Sequence, residues 1–289
     1  MASMRDIKRR RDSIQSTEQI TKAMKLVSTV KLQKSRAKAE NTKPYFELMY
    51  DTIQSVLRTS GSLQHKYLKQ NASEKKAVIA ITSNRGLAGG YNNNIIKLIA
   101  SELPRESTLV YAIGRKGREG LQRRGYEIRE DDSEVINEPV YRDASDLTGI
   151  LLESYAKGEI GEIWLAYTKF RNAVSQTPQL IKLLPVEKKE KAEEEETAET
   201  AGAKALMTYE PDEEAVLDAV IPKYMSSLIY GALMEAVASE NGARMTAMDN
   251  ATNNAEEMIG ALSLQYNRAR QGAITQELTE IVAGANAIS

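Results

Sequence analysis

Residues 223 to 289 read KYMSSLIYGALMEAVASENGARMTAMDNATNNAEEMIGALSLQYNRARQGAITQELTEIVAGANAIS, a run of 67 residues without proline. The run is rich in Ala, Met, Leu and Glu, which favour helices, and it lacks the residue that breaks them. At about 1.5 Å per residue, one uninterrupted helix would reach roughly 100 Å, far more than the width of a small domain. Apolar residues recur at spacings of three and four, which predicts a coiled-coil seam of Met248, Ala251, Ala255, Met258, Leu262, Tyr266, Ala269 and Ala273.

The first 43 residues have the same helical character and the opposite charge. They carry 12 Lys and Arg against 4 Asp and Glu, net +8, whereas residues 223 to 289 carry 4 against 7, net −3. The apolar positions of this first segment are Ile7, Ile14, Ile20, Met24 and Val27. An isolated helix cannot hide an apolar stripe, and opposite charges favour association, so the two termini are predicted to pair. An ordinary helix bundle is the alternative, but it would need more helices of similar length, and the middle of the chain offers none.

The middle of the chain alternates between strand-like and helix-like segments. Strands are predicted at Lys76 to Thr82, Thr108 to Ile113, Glu162 to Thr168 and Gln179 to Leu184. Helix-like stretches lie near residues 93–103, 115–124 and 144–157. This alternation predicts an α/β domain, in which helices pack on a sheet of parallel type.

The chain therefore has three predicted parts. A coiled-coil helix is expected at 1–58, an α/β domain at 75–210, and a second coiled-coil helix at 211–289. Within the α/β part, residues 187–199 consist of Glu, Lys, Ala and Thr alone. Such a composition cannot offset the entropy lost on ordering, so residues 187–203 are predicted to form a mobile acidic loop.

A glycine-rich turn, Ser83 to Gly90, follows the first predicted strand and precedes a helix. This is the position at which α/β folds bind phosphate groups. The spacing of its glycines matches neither the dinucleotide fingerprint nor a P-loop, and no Lys-Ser or Lys-Thr pair follows. A turn whose glycines permit close packing is favoured, while nucleotide binding stays open as the alternative.

Composition excludes several kinds of chemistry. The chain has no Cys and a single His, His65, which removes disulfides, thiolate metal sites, Cys nucleophiles and His clusters. Adjacent carboxylates such as Glu256 and Glu257 diverge on a helix and are expected on solvated faces. We therefore predict no catalytic residues, no metal and no cofactor.

The sequence has no clear signal of membrane insertion or of nucleic-acid binding. No stretch reaches the roughly 20 apolar residues of a membrane span, and the N-terminus lacks the apolar core of a signal peptide. The basic run Lys8 to Arg11 has no aromatic residues around it and lies in a predicted helix. An acidic protein surface is therefore a better partner for this run than nucleic acid or a membrane.

Several motifs of the chain resemble those of the gamma subunit of F-type ATP synthases. Near the start stand Arg5-Asp-Ile-Lys8 and Ile20-Thr-Lys-Ala-Met-Lys-Leu-Val-Ser28. Near the end stand Ala238-Ser-Glu-Asn-Gly-Ala-Arg-Met-Thr-Ala-Met248 and Ala269-Arg-Gln-Gly-Ala-Ile-Thr-Gln-Glu-Leu-Thr-Glu-Ile-Val-Ala-Gly-Ala285. The turn at Arg85 to Gly90 is also similar to the family's. The resemblance extends over nearly the whole chain.

The resemblance implies both a fold and a set of partners. The terminal helices would form a long antiparallel two-helix coiled coil inside a ring of alternating alpha and beta subunits. The middle would be a Rossmann-like α/β domain against the epsilon subunit and the membrane c-ring. A bacterial protein on the cytoplasmic face of the plasma membrane, peripheral and without membrane insertion, is expected.

The resemblance also implies roles for particular residues. Contacts with the beta subunit fall to Met24, Lys25, Arg244, Arg270, Gln271 and Thr275. Contacts with the rotor ring fall to Tyr209 and Glu210, which stand in the family's foot segment. Two other interpretations remain: a nucleotide-binding α/β protein with coiled-coil dimerisation arms, and a passive coiled-coil scaffold.

Overall fold

The computed structural model describes residues 3–59, 65–68, 71–173, 175–186 and 213–288. These residues belong to two compact units. One contains residues 1–30 together with 244–289, and the other contains residues 31–243. Two long helices, α1 (Met4–Thr59) and α5 (Glu213–Ile288), each contribute residues to both units.

In the first unit, α1 and α5 run antiparallel. Arg11 stacks on Tyr266, Thr21 meets Thr252, and Lys25 meets Asp249, so the partner number falls as the α1 number rises. On α1 the side chains that face the partner follow spacings of three and four: Met4, Ile7, Arg11, Ile14, Glu18, Thr21, Lys25 and Ser28. On α5 the corresponding series is Met248, Thr252, Ala255, Ile259, Leu262, Tyr266, Ala269 and Ala273. This heptad repeat confirms the predicted coiled coil.

Each of the two helices continues through a proline. Pro44 lies inside α1 and Pro222 lies inside α5. Proline removes one backbone donor from a helix and bends it, but a helix anchored on both sides of the proline can tolerate this cost. The hydroxyl of Ser226 donates an additional hydrogen bond of 2.9 Å to the Pro222 carbonyl.

The second unit is built on a five-stranded sheet with the order β3-β2-β1-β4-β5. Its strands are β1 (Lys76–Ile81), β2 (Thr108–Ile113), β3 (Glu127–Asp131), β4 (Glu162–Phe170) and β5 (Gln176–Leu184). Its helices are α2 (Tyr91–Glu102), α3 (Arg115–Gln122) and α4 (Tyr141–Ala156), with a 3-10 turn at Arg105–Ser107. The first four strands are parallel, which agrees with the predicted sheet.

Two strands differ from the sequence expectation. β5 is antiparallel to β4, because the connection from Phe170 to Gln176 is too short for a crossover. β3 was not predicted, because its sequence Glu-Ile-Arg-Glu-Asp contains one apolar residue. Its place at the edge of the sheet explains this composition, since an edge strand can present charged side chains to water.

Helices cover both faces of the sheet. On one face, α4 and the first part of α5 bury Leu151, Ile229 and Leu233 against β1 and β4. On the other face, α2 and α3 bury Ile95 and Leu121 against β1 and β2. The three-layer arrangement explains why the central strands are apolar on both sides.

A buried carboxylate, Glu162, lies where β1 and β4 begin. Its Oε2 accepts a hydrogen bond from Trp164 Nε1 at 3.0 Å and lies 3.0 Å from Lys76 Nζ. Its Oε1 lies 3.4 Å from Lys182 Nζ. Burial alone would raise the pKa of this carboxyl, but the bonds from Trp164 and Lys76 and the charges of both lysines outweigh it. The net result is a lowered pKa.

We expect Glu162→Gln to destabilise the fold at neutral pH and to do so less in acid. A lowered native pKa means that the carboxylate stabilises the fold above its unfolded pKa of about 4.3, and this contribution is lost as the pH falls further. The expected loss in unfolding free energy is about 1–3 kcal/mol at pH 7. Denaturant unfolding followed by the fluorescence of Trp164, the chain's single Trp, measures it at both pH values. Equal losses in neutral and acidic buffer would contradict the assignment to charge.

Candidate functional site

Between residues 20 and 30, the outer side of α1 carries several apolar side chains. Ile20 is 59% exposed and Val27 is 57% exposed, and Leu26 and Val30 are exposed as well. Ile20 and Val27 are seven residues apart and therefore lie on the same side of the helix. The sequence interpretation counted these two residues in the apolar stripe that faces the partner helix. This was wrong: both face outward, and polar residues occupy the seam positions beside them. On α5, Met258 was likewise expected in the seam and is exposed.

The residues that do fill the seam beside Ile20 and Val27 were missed by the sequence analysis. Thr21 and Thr252 are 8% and 5% exposed, and their hydroxyl oxygens are 2.8 Å apart. Polar residues carry no apolar signal, so a search for apolar periodicity passes over them. Their signal was the spacing itself, since Thr21 and Ser28 are seven residues apart.

Two of the predicted contact residues, Met24 and Lys25, are neighbours on α1, where Lys25 occupies a seam position and Met24 lies beside the seam. Both side chains are half-buried. Lys25 Nζ lies 2.5 Å from Asp249 Oδ1, which makes it a partner of α5 within the chain. Met24 lies one position earlier and has no charge to satisfy. The structure therefore gives these neighbours different surroundings.

The C-terminal part of α5 extends past the paired region as a helix with exposed side chains. Ala273 is its last half-buried residue, and residues 274–286 are exposed. Three residues to which the resemblance gave partner contacts are exposed here: Arg270 and Gln271 at the end of the paired region, and Thr275 beyond it. Thr275 Oγ1 donates to the Gln271 carbonyl at 2.9 Å. The same part carries the exposed apolar residues Ile274, Leu278, Ile281 and Val282.

The remaining predicted contact residues have other placements. Arg244 on α5 is 9% exposed, so its guanidinium is buried against the chain, unlike Arg270. Tyr209 and Glu210, together with the acidic loop predicted at 187–203, lie outside the described residues. In the basic run, Lys8, Arg9 and Arg10 are exposed, whereas Arg11 lies 5.6 Å from the centre of the Tyr266 ring.

Hydrogen bonds connect the segment after β1, in which the glycine-rich turn lies, to the start of α3. The backbone N–H of Arg115 donates to Asn84 Oδ1 at 2.9 Å, and that of Gly117 donates to Thr82 Oγ1 at 2.8 Å. N–H groups at the start of a helix are those that bind phosphate in nucleotide sites. In α3 they are already bonded to the residues that follow β1.

Helix α5 lies at the point where an α/β sheet of this type usually binds a ligand. That point is between β1 and β4, where the strand order reverses. Tyr91 Oη, at the start of α2, donates to the Ala236 carbonyl at 3.1 Å, and Ser239 Oγ donates to the Thr168 carbonyl of β4 at 2.9 Å. The chain's own helix thus contacts both sides of this position, and the geometry lends no support to a nucleotide site.

Among the described residues, no three His, Asp or Glu side chains are arranged to hold a metal ion. In the same ranges, no helix combines the length and the hydropathy that crossing a membrane requires.

Comparisons with known proteins identify the family. A family model described as ATP synthase matches residues 3–288. The chain is 62% identical over 291 residues to an ATP synthase gamma chain of Lachnoclostridium phytofermentans, with all of both chains covered. It is 42% identical to a sodium ion specific ATP synthase gamma chain of Acetobacterium woodii, with 99% of each covered.

A solved structure shows the same fold. It is a chain of the Euglena gracilis mitochondrial ATP synthase rotor in rotational state 1, with a TM-score of 0.64 and 19% identity, covering 94% of this chain and 98% of that one. On the evidence of the family model and of relatives along its whole length, the chain belongs to the ATP synthase gamma-chain family.

Proposed function

We propose that this chain is the central rotor shaft of an F-type ATP synthase. It couples rotation of an ion-driven membrane ring to conformational change at the catalytic beta subunits. The proposal rests on the side chains that the paired helices expose to solvent. On α1 these are apolar, and at the end of α5 they are both apolar and polar. Exposed apolar stripes of this extent mark a surface that a partner covers.

The proposed mechanism is coupling by differential contact. The two helices present different side chains to different directions: Ile20 and Val27 on α1, and Arg270 and Gln271 on α5. A surface that differs around its circumference stabilises a different conformation in each of the surrounding beta subunits. Rotation of the shaft changes which beta subunit adopts which conformation. Because the coupling is reciprocal, a conformational change at a catalytic site also favours one orientation of the shaft.

The chain's own part is mechanical rather than catalytic in this proposal. Alpha and beta subunits surround the paired helices, and the epsilon subunit and the c-ring bind the α/β domain, with Tyr209 and Glu210 on the ring side. The complex acts at the cytoplasmic face of the bacterial plasma membrane. Support comes from the family and from the similarity to a rotor chain.

Reconstitution tests the proposal as a whole. Purified alpha and beta subunits are assayed for ATPase activity with and without this chain, and the mass of the mixture is determined by size exclusion. One copy of the chain per complex together with a rise in turnover is the expected result. No complex, or no change in turnover, would refute the shaft function.

Arg270→Ala and Gln271→Ala are each expected to lower coupled ATP synthesis about three- to tenfold while the complex still assembles. Both side chains are exposed, so their removal leaves the helix intact and takes away only contacts with the partner. The measurement is ATP synthesis in membrane vesicles, normalised to the amount of assembled complex.

A matched control is available on the same helix. Gln276 is also an exposed glutamine of α5, but five residues from Gln271, which turns it about 140° around the helix. Gln276→Ala is expected to synthesise ATP at the parent rate. If all three variants behave alike, the assignment of Arg270 and Gln271 to specific contacts fails.

A further inference from the structure

The seam between α1 and α5 is polar at the level where the outer side of α1 is apolar. At four successive seam positions α1 carries Glu18, Thr21, Lys25 and Ser28. Coiled coils normally place apolar residues there, because the seam is the part removed from water. A polar seam weakens the pairing of the two helices. We therefore expect its polar residues to have a role other than stabilising the pair.

Three pairs of side chains connect the helices at this level. The hydroxyls of Thr21 and Thr252 are 2.8 Å apart, and each also lies within hydrogen-bond distance of a carbonyl on its own helix. Since each hydroxyl has one proton, one of them donates across the seam and the other donates to its own helix. Lys25 pairs with Asp249 at 2.5 Å, and Lys22 lies 3.9 Å from Glu256.

Of these pairs, the two hydroxyls are compatible with one alignment of the helices. The Lys25 ion pair excludes a slip of one heptad that would bring Gly242 opposite Lys25, whereas the opposite slip would bring Glu256 there. A slip of one heptad along α5 would place Thr21 opposite Ile259 in one direction and opposite Met245 in the other. Neither side chain can accept or donate a hydrogen bond of comparable strength, so a buried hydroxyl would lose its partner across the seam. An apolar seam, by contrast, would tolerate such a slip.

We propose that Thr21, Thr252, Lys25 and Asp249 fix the axial register of the two helices. This inference rests on the proposed shaft function, because register determines the relative height of the contact residues on α1 and α5. Lys25 is then a positioning residue that acts through Asp249, and it differs in this from Arg270, which no residue of the seam engages.

Exchanging the charges tests the role of Lys25 in the assembled complex. Lys25→Asp and Asp249→Lys are each expected to lower coupled ATP synthesis about tenfold, because each puts like charges side by side. The double exchange is expected to return synthesis to within about twofold of the parent, and Lys25→Arg to keep it there. If the double variant stays as low as Lys25→Asp, Lys25 contacts a partner directly and the positioning role is wrong.

A distance measurement tests the register itself on the full chain. The chain has no Cys, so spin labels can be placed on cysteines introduced at Gln19 and Asn253 alone. Both residues are exposed and lie at nearly the same level of the pair. Thr21→Val combined with Thr252→Val is expected to shift or broaden the label distance and to lower synthesis, even if thermal stability rises.

The outcomes separate the two hypotheses. An unchanged label distance with unchanged synthesis would overturn the register hypothesis and leave the shaft function standing. Failure of the parent chain to raise ATPase turnover in reconstitution would overturn the shaft function. The label distance would then still decide whether the polar pairs fix the register.

Discussion

Replacing Gly114 by Ala is expected to destabilise the α/β unit by roughly 3–5 kcal/mol. Gly114 precedes α3 with φ at +107°, a backbone conformation that side chains other than glycine rarely adopt. A Cβ at this position would lie 2.2 Å from the carbonyl oxygen of Thr82. Thr82 is fully buried, and its hydroxyl donates to the Gly114 carbonyl at 3.1 Å and accepts from Gly117, so the backbone has no room to move away.

Gly149 in α4 provides the matched control for Gly114→Ala. It is exposed in the middle of a helix, and a Cβ there would meet no atom within 4 Å. Gly149→Ala is expected to stabilise the chain by about 0.5–1 kcal/mol, because alanine loses less backbone entropy in a helix. Urea unfolding followed by Trp164 fluorescence measures both variants. A loss below about 1 kcal/mol for Gly114→Ala would mean that the turn can relax, contrary to its hydrogen bonding.

The long helices and the central strands could be predicted because their physical signals are local. The last 67 residues carry no proline and have a repeat of three and four, and a segment with both properties has few alternatives to a long helix. Strands β1, β2 and β4 are apolar along most of their length, as strands buried on both faces must be, and their polar residues lie near the ends: Lys76, Thr108, Glu162, Thr168 and Lys169.

The remaining features depend on neighbours that a sequence does not identify. β3 shows no strand pattern, and it becomes a strand because β2 offers an unpaired edge. The orientation of α1 could not be predicted either, because the rule that apolar residues face the partner helix fails here. Ile20 and Val27 face outward, and polar Thr21 faces α5. The rule fails because the outer surface is itself apolar, a situation in which apolar periodicity cannot tell the two sides apart.

The surroundings of some contact residues follow from the geometry of a single helix, whereas those of others depend on the partner helix. Arg270 and Gln271 lie between the seam residues Ala269 and Ala273, and Thr275 lies just after the seam ends. Their exposure therefore follows from helix geometry once the seam is known. Lys25 follows no such rule. Its pairing with Asp249 requires knowledge of which α5 residue lies opposite, and register is a property of the pair rather than of either helix.

Ile20→Glu combined with Val27→Glu is expected to lower coupled ATP synthesis at least tenfold while leaving the stability of the isolated chain within about 0.5 kcal/mol. Both residues are exposed on the free chain, so charge costs nothing there. Inside a ring the same charges would be removed from water without partners, at a cost of several kcal/mol. The amount of chain bound to alpha and beta subunits and the rate of synthesis together measure this cost.

Ile150→Glu is the control for this double variant, because Ile150 is also an exposed aliphatic residue but belongs to α4 of the other unit. It should bind the alpha and beta subunits as the parent does, since the proposal places no contact with those subunits on α4. Full synthesis in the double variant would instead show that the apolar side of α1 faces water in the complex. In that case the polar residues at the end of α5 would have to transmit the coupling without α1.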